Sequence, residues 1–268
     1  MSDIYALHGV IDRVDAKLFS HRNMTPADRV RARLDTQQKL VPLAEALAGK
    51  GDALTIDDAT VASAQAALLA RQLGHDVTLF INPWQVADGR ADAFAALHWL
   101  LDRTRKRKVT WRGKTWWLMT FRQKDDLRAE IKRLLRLHDE PQDNHALIEE
   151  LQQALGVADL DVPDYLQSLT LAQLRELRDA GVDIQNHYWT HLDPAAHTPA
   201  RFADEWLRAQ DWLTENLGIA SQFFASPFGD YFPQPDFLAE HRIVCLLLSH
   251  SHPSGPLSPW VVNRVVFD

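Results

Sequence analysis

Two short clusters in this 268-residue sequence have the residue types to hold a catalytic divalent metal. One is Asp57-Asp58, directly after the apolar run that ends at Ile56, and the other is His187 with His191. Two imidazoles and a carboxylate are a normal ligand set for a catalytic divalent cation that keeps one position open for water. Spacing alone does not establish this, because 12 histidines in a chain of this length give roughly half a pair four apart by chance. A second aspartate pair, Asp125-Asp126, reads as an ordinary helix start. Geometry adds a condition. Residues four apart in a strand are separated by about 13 Å, against about 5–6 Å on a helical turn, so His187 and His191 can share an ion only on a tight turn. Asn186, Thr190 and Asp193-Pro194 favour such a turn.

The elements that must position these residues are legible from periodicity. Ile4 to His8 reads as a buried strand, and apolar residues from Leu34 to Leu47 recur at helical spacing until Gly49 and Gly51. A strand over Asp52 to Ile56, a buried helix over Thr60 to Leu73 and a strand over Asp76 to Ile81 make a β-α-β unit. From about 83 to 169 the rhythm breaks. That stretch is expected to be an insertion with helices over Lys124 to Leu137 and His145 to Leu155. It also holds a hairpin that turns at Arg112-Gly113-Lys114. Alternation resumes with a helix over Leu171 to Ala180, a strand over Val182 to Gln185 and a helix over Pro199 to Leu217. Strands over Gln222 to Ala225, Arg242 to Leu248 and Val261 to Phe267 follow. Seven strands, most separated by helices, predict a single α/β domain over 1–268, with a parallel sheet or barrel. The two clusters and Ser226-Pro227-Phe228-Gly229 all follow predicted strands, at the edge where such folds bind ligands.

Composition excludes several classes. With 46% hydrophobic and 24% charged residues, 11 Gly and 13 Pro, the chain is neither disordered nor fibrous. The single cysteine, Cys245, cannot make an internal disulfide, and Met1-Ser2-Asp3-Ile4 lacks the features of a signal peptide, so a cytoplasmic protein is expected. No apolar run approaches the roughly 20 residues of a membrane span, so no membrane partner is expected. A net charge of −7 argues against a nucleic-acid partner. The basic run Arg103 to Lys108, with Arg112 and Lys114, reads first as a solvated face and second as a site for a phosphate, a nucleotide-linked sugar or an acidic carrier.

Together these motifs resemble the polysaccharide deacetylases of carbohydrate esterase family four. Thr55-Ile56-Asp57-Asp58-Ala59 is similar to that family's Thr-Phe-Asp-Asp-Gly. Asn186-His187-Tyr188-Trp189-Thr190-His191 is similar to its Asn-His-Thr-Trp-Thr-His, and Ser226-Pro227-Phe228-Gly229 to its Pro-Tyr-Gly or Pro-Phe-Gly. Tyr5-Ala6-Leu7-His8-Gly9-Val10 is similar to the first-strand Tyr-His-x-Val of many members. The resemblance implies a distorted (β/α)7-type, TIM-barrel-like fold with the helical and hairpin insertion added. It also implies hydrolysis of an N-acetyl, less often O-acetyl, group with metal-bound water as nucleophile. Asp58, His187 and His191 would ligate a divalent cation, Zn2+ first among them, and Asp57 would be the general base. The Phe228 backbone N–H would hold the oxyanion. His250 or His252 would stand in for the family's late histidine, which protonates the leaving amine.

Trp116, Trp117, Pro227 and Tyr231 are the candidate substrate contacts. The two adjacent tryptophans lie on one predicted strand and face opposite ways, so at most one of them meets a ligand. His8 reads as a partner behind the metal site or as a core histidine, and Trp189 as packing. Two departures stand out: Ala59 replaces a glycine, and Ala225 stands where many members carry an arginine that orients the base. The second places the chain in a branch lacking that third-motif arginine. The missing export signal favours an intracellular acetylated amino sugar or sugar-containing metabolite as substrate. The alternatives are a related amidohydrolase acting on another carbon–nitrogen amide, or a non-catalytic carbohydrate-binding member of the fold.

Overall fold

The computed structural model describes residues 2–138, 140–229, 234–248, 250 and 252–267. The first part of the chain forms β1 (Ile4–Leu7), β2 (Gly9–Ile11), β3 (Met24–Pro26), α1 (Ala27–Thr36), α2 (Leu43–Leu47), β4 (Ala53–Asp57), α3 (Val61–Gln72) and β5 (Val77–Ile81). The next stretch forms α4 (Pro83–Asp88), α5 (Ala93–Arg103), β6 (Lys108–Trp111), β7 (Lys114–Trp117), α6 (Phe121–Leu135) and α7 (Pro141–Leu155). The remainder forms α8 (Leu171–Asp179), β8 (Asp183–Asn186), α9 (Pro199–Leu217), β9 (Phe223–Ala225), α10 (Pro235–His241), β10 (Val244–Leu247), β11 (Gly255–Ser258), β12 (Val261–Asn263) and β13 (Val265–Val266). Among the described residues no helix is long and apolar enough to cross a membrane.

The main sheet runs β11-β12-β10-β9-β8-β5-β4-β1-β13, and every pairing in it is parallel except β11 with β12. β4 and β5 are buried along their whole length, as expected of strands covered on both faces. The predicted closing strand over Val261 to Phe267 divides in two. β12 pairs with β10, β13 pairs with β1, and Arg264 lies between them. Through that residue the chain passes from β12, next to the β11 edge of the sheet, to β13 at the other edge, which closes a distorted seven-position barrel.

Two other expectations need correction. The helical periodicity over Leu34 to Leu47 is broken into α1 and α2, because Pro42 keeps the residue before it extended and begins α2. The stretch from 83 to 169 carries four helices, since α4 and α5 precede the two that periodicity predicts. It has its own core, built from Leu97, Leu100, Leu127, Ile131, Ile148 and their neighbours.

Candidate metal centre and base

Strand register brings the clusters to one edge. Asp57 is level with Phe80 on β5, the following residue Ile81 is level with Asn186 on β8, and Asn186 is level with Phe224 on β9. Each strand therefore ends where its cluster begins. Asp58, His187 and His191 each offer a ligand atom within 4.8 Å of the others. The Asp58 carboxylate lies 3.7 Å from His187 Nε2 and 3.4 Å from His191 Nε2. The two imidazole centroids are 5.1 Å apart, the separation that a tight turn allows and a strand does not.

The turn comes from backbone in the left-handed region, at Tyr188 (φ 76°) and His191 (φ 56°), and Asp58 (φ 73°) and Phe228 (φ 63°) share that conformation. Such residues cost on the order of 1–3 kcal/mol each and persist only where their surroundings enforce them. Here Asn82 donates to the His187 carbonyl, Asn186 Oδ1 accepts from Tyr188 N–H at 2.7 Å, and Thr190 donates to the buried Glu205 at 2.7 Å. Ala59 is buried and keeps a negative φ. The conformational demand falls on Asp58 instead, so the missing glycine is without consequence.

The donor set fits a cation. His187 Nδ1 lies 2.8 Å from the Ala225 carbonyl, to which it can only donate, so in the neutral ring Nε2 turns a lone pair toward Asp58. Lone pair and carboxylate oxygen repel unless positive charge lies between them. Burial pulls the His187 pKa down, but Asp58 and Asp57 more than offset it, so the group ends above its ordinary value. Burial pushes the Asp58 carboxyl up, but His187, His191 and His8 outweigh it and hold that carboxyl well below the usual range. For His191 burial and the His187 charge prevail and the pKa falls, leaving a neutral imidazole suited to ligation. Its buried Nδ1 has no hydrogen-bond partner among the described residues.

Asp57 is held apart from this triad. Arg264 grips it with two hydrogen bonds of 2.7 Å, one to each carboxylate oxygen, and donates also to Thr55 Oγ1 at 2.9 Å and to the Leu247 carbonyl at 3.2 Å. Both side chains are buried. Burial raises the Asp57 pKa, and Arg264, His187 and His8 more than offset it, so the carboxylate stays ionised. Sequence reasoning missed Arg264. Ala225 leaves the third-motif position without a guanidinium, and the last strand segment brings one to the same carboxylate.

The third motif makes a tight turn, with Gly229 N–H donating to the Ser226 carbonyl at 3.0 Å. The Phe228 ring packs on Phe94 and His191, at 5.2 and 5.0 Å between centroids, so α5 forms one wall of the site. Gly229 has φ 70°, and a Cβ there would lie 2.9 Å from the Leu248 backbone N and O. Gly229→Ala is therefore expected to destabilise the fold by about 1–3 kcal/mol, read as a lower Tm by circular dichroism. An unchanged Tm would show that the turn can yield.

His8, Asp57, Asp58, His187, His191, Phe228 and His250 line one cavity of about 640 Å³. His8 thus faces the site and is not a core residue. His252 is exposed, does not line that cavity, and its carbonyl accepts from Asn263 at 2.9 Å. Trp116 cannot serve as a substrate contact, because it is buried in the core with Leu97, Leu127 and Ile148, beneath Lys114. Trp117 is exposed on the opposite face of the hairpin, and neither tryptophan lines the cavity. Pro227 is buried and supports the turn, and Tyr231 lies outside the described residues. Trp189 packs against Trp84 and Arg208. The basic run at 103–114 also stays away from the cavity: Lys106 donates to the Ala154 carbonyl, and Arg112 pairs with Glu150. Asp92 was not expected at the site. It caps α5, with 2.8 Å from Phe94 N–H to its carboxylate, and lines the same cavity.

Comparison with known proteins gives the class of fold first. The chain is similar in structure to the Streptococcus pyogenes deacetylase PplD in complex with acetate, with a TM-score of 0.59, 15% identity and coverage of 99% of this chain and 92% of that one. It is similar to IcaB from Ammonifex degensii, with a TM-score of 0.57, 15% identity and coverage of 100% and 93%. It is also similar to the BpsB deacetylase domain from Bordetella bronchiseptica, with a TM-score of 0.54, 13% identity and coverage of 99% and 95%. No curated protein matches the sequence. The polysaccharide deacetylase family model matches residues 148–239, a span that holds both histidines and the third motif. Residues 148–239 thus match that family by sequence, and over its whole length the chain shares its fold with these solved structures. Asp57 and Asp58 lie outside the matched span and join it through the sheet register.

Proposed function

We propose that this protein is a metal-dependent deacetylase that hydrolyses the acetamido group of an amino sugar or sugar-containing metabolite in the cytoplasm. The observation that carries the reading is an Asp58-His187-His191 triad beside a separate carboxylate, Asp57, clamped by Arg264. A divalent cation bound by the triad, with zinc the first candidate, supplies Lewis acidity that makes water more acidic and polarises the acetyl carbonyl.

The chain's own groups do the rest. Asp57 removes a proton from the attacking water, its remaining lone pairs free because the guanidinium takes one from each oxygen. The Phe228 N–H donates to the oxygen that gains negative charge, a role that leaves the side chain free to serve as a wall of the site. His250, at the cavity mouth, protonates the departing amine. Water and amide are consumed, and acetate and amine are formed.

Metal analysis of the purified protein together with acetate release from a panel of N-acetyl sugars tests the proposal. Stoichiometric metal, activity abolished by chelation and restored by Zn2+ or Co2+, and acetate release are expected. Asp58→Asn is expected to weaken metal binding by more than the roughly 10–100-fold lost when a ligand's supporting partner is removed. Full metal content with no acetate from any member of the panel would instead favour a different amide substrate or a non-catalytic carbohydrate-binding role.

A further inference from the structure

The two imidazoles of the triad differ in what holds their outer nitrogen. His187 gives its Nδ1 proton to the Ala225 carbonyl. His191 turns Nε2 toward Asp58 at 3.4 Å, and a ring that ligates through Nε2 carries its proton on Nδ1. That Nδ1 is buried and has no hydrogen-bond partner among the described residues. Metal-ligating histidines almost always give their second N–H to a carboxylate, a carbonyl or a water, which fixes the ring and strengthens it as a ligand. A buried donor left without an acceptor is also costly.

A second, small cavity of about 20 Å³ has His191, Gln85, Asp92 and His145 in its wall. Gln85 comes from α4, Asp92 from the start of α5 and His145 from α7. Trp84 N–H donates to the Trp189 carbonyl at 3.0 Å, which ties α4 to the histidine turn. The volume suits a single water, which needs about 10–15 Å³ and roughly two to four polar partners. The wall supplies those partners. Gln85 Nε2 and His145 Nδ1 are, like His191 Nδ1, buried without a hydrogen-bond partner among the described residues. Gln85 Nε2 and His191 Nδ1 are donors. Asp92 receives the Phe94 and Ala95 N–H groups on Oδ2, which leaves Oδ1 to accept. His145 presents Nε2 to the Asp88 carboxylate at 3.9 Å, which favours the ring proton there and leaves Nδ1 as an acceptor. Burial first, and Arg90 next, pull the His145 pKa down, so the ring is neutral. One water accepts from two donors and donates to two acceptors, which matches this set.

We propose that Gln85, Asp92 and His145 hold a single water against His191 Nδ1, and that through it Gln85 and His145 act as positioning residues for this cation ligand. The water site stands without the metal reading, whereas its effect on ligation rests on the metal centre proposed above.

Two measurements keep the claims separate. A crystal structure of the protein grown with Zn2+, at a resolution that shows ordered solvent, is expected to place one water within hydrogen-bonding distance of His191 Nδ1, Gln85 and Asp92. The second measurement is Zn2+ affinity, read by competition with a chromophoric chelator. Gln85→Met and His145→Phe each remove one partner of the water at similar side-chain size, and each is expected to weaken Zn2+ binding roughly 10–100-fold in protein that keeps its circular dichroism spectrum. His145→Asn returns an acceptor near the Nδ1 position and is expected to recover most of that affinity, a rescue that a merely space-filling histidine would not show. The double variant Gln85→Met with His145→Phe should lose little more than the larger single loss, because one water carries both effects. Single losses that multiply in the double variant would overturn the shared water, as would Zn2+ affinity unchanged in both single variants. His191 Nδ1 bonded directly to a protein group in the crystal, with no water beside it, would overturn the proposal outright. A water on His191 Nδ1 in protein that binds no divalent cation would sustain the water site and overturn the metal reading.

Discussion

Asp57→Asn is expected to lower acetate release by roughly 10²–10⁴-fold while the protein keeps its metal. The amide matches the carboxylate in shape and still offers one oxygen to the Arg264 fork, but it cannot accept a proton from water. Asp57 is not part of the ligand triad, so metal content measured alongside activity separates its role from that of Asp58. The variant should also lose stability, since Arg264 is buried and keeps only part of its partner. Activity must therefore be read below the variant's Tm. An Asp57→Asn protein that still releases acetate at more than a tenth of the parent rate would remove Asp57 from the base role.

Arg264→Met is expected to cost about 3–5 kcal/mol, a fall in Tm on the order of 10 °C, because a buried carboxylate loses its counter-charge. The pH dependence follows from the direction of the Asp57 shift. In the parent its folded pKa lies below the unfolded value of about 3.9, so the pair's stabilisation is present above that pH and is lost as pH falls through the folded pKa. Without the guanidinium, burial dominates and the carboxyl pKa rises. The acid limb of the pH–rate profile should then move to higher pH, which a merely structural arginine would not cause. Arg264→Lys keeps the charge without the fork and should recover stability better than rate. In the double variant Asp57→Asn with Arg264→Met, the stability losses should sum to less than their separate values. Strict additivity, with an unmoved acid limb, would deny the coupling.

Much of this site is legible without any coordinates. Asp57-Asp58, His187 and His191 announce themselves by residue type, by following apolar strands and by the requirement for a turn between the histidines. Other parts leave no local mark. Arg264 lies 207 residues from its partner, within a run that periodicity presents as one strand. Its function depends on the change of neighbours there, which only the closed sheet reveals. For α5 a signal is present in Asp92, whose carboxylate accepts from the Phe94 and Ala95 N–H groups as a helix-starting residue should. The tryptophan pair does face opposite ways, as alternation along a strand requires, but its distance from the cavity is a matter of tertiary placement.

The seam at residues 261–266 ties competence to completion of the fold. Until that segment docks between β10 and β1, Asp57 has no guanidinium and its carboxyl sits in a half-built interior. A contact spanning this much of the polypeptide is entropically slow to form, so assembly should finish there and not at the metal ligands. On the proposed function, a nascent or partly opened molecule would bind its ion yet remain catalytically silent, and hydrolysis would begin only once the ring is whole.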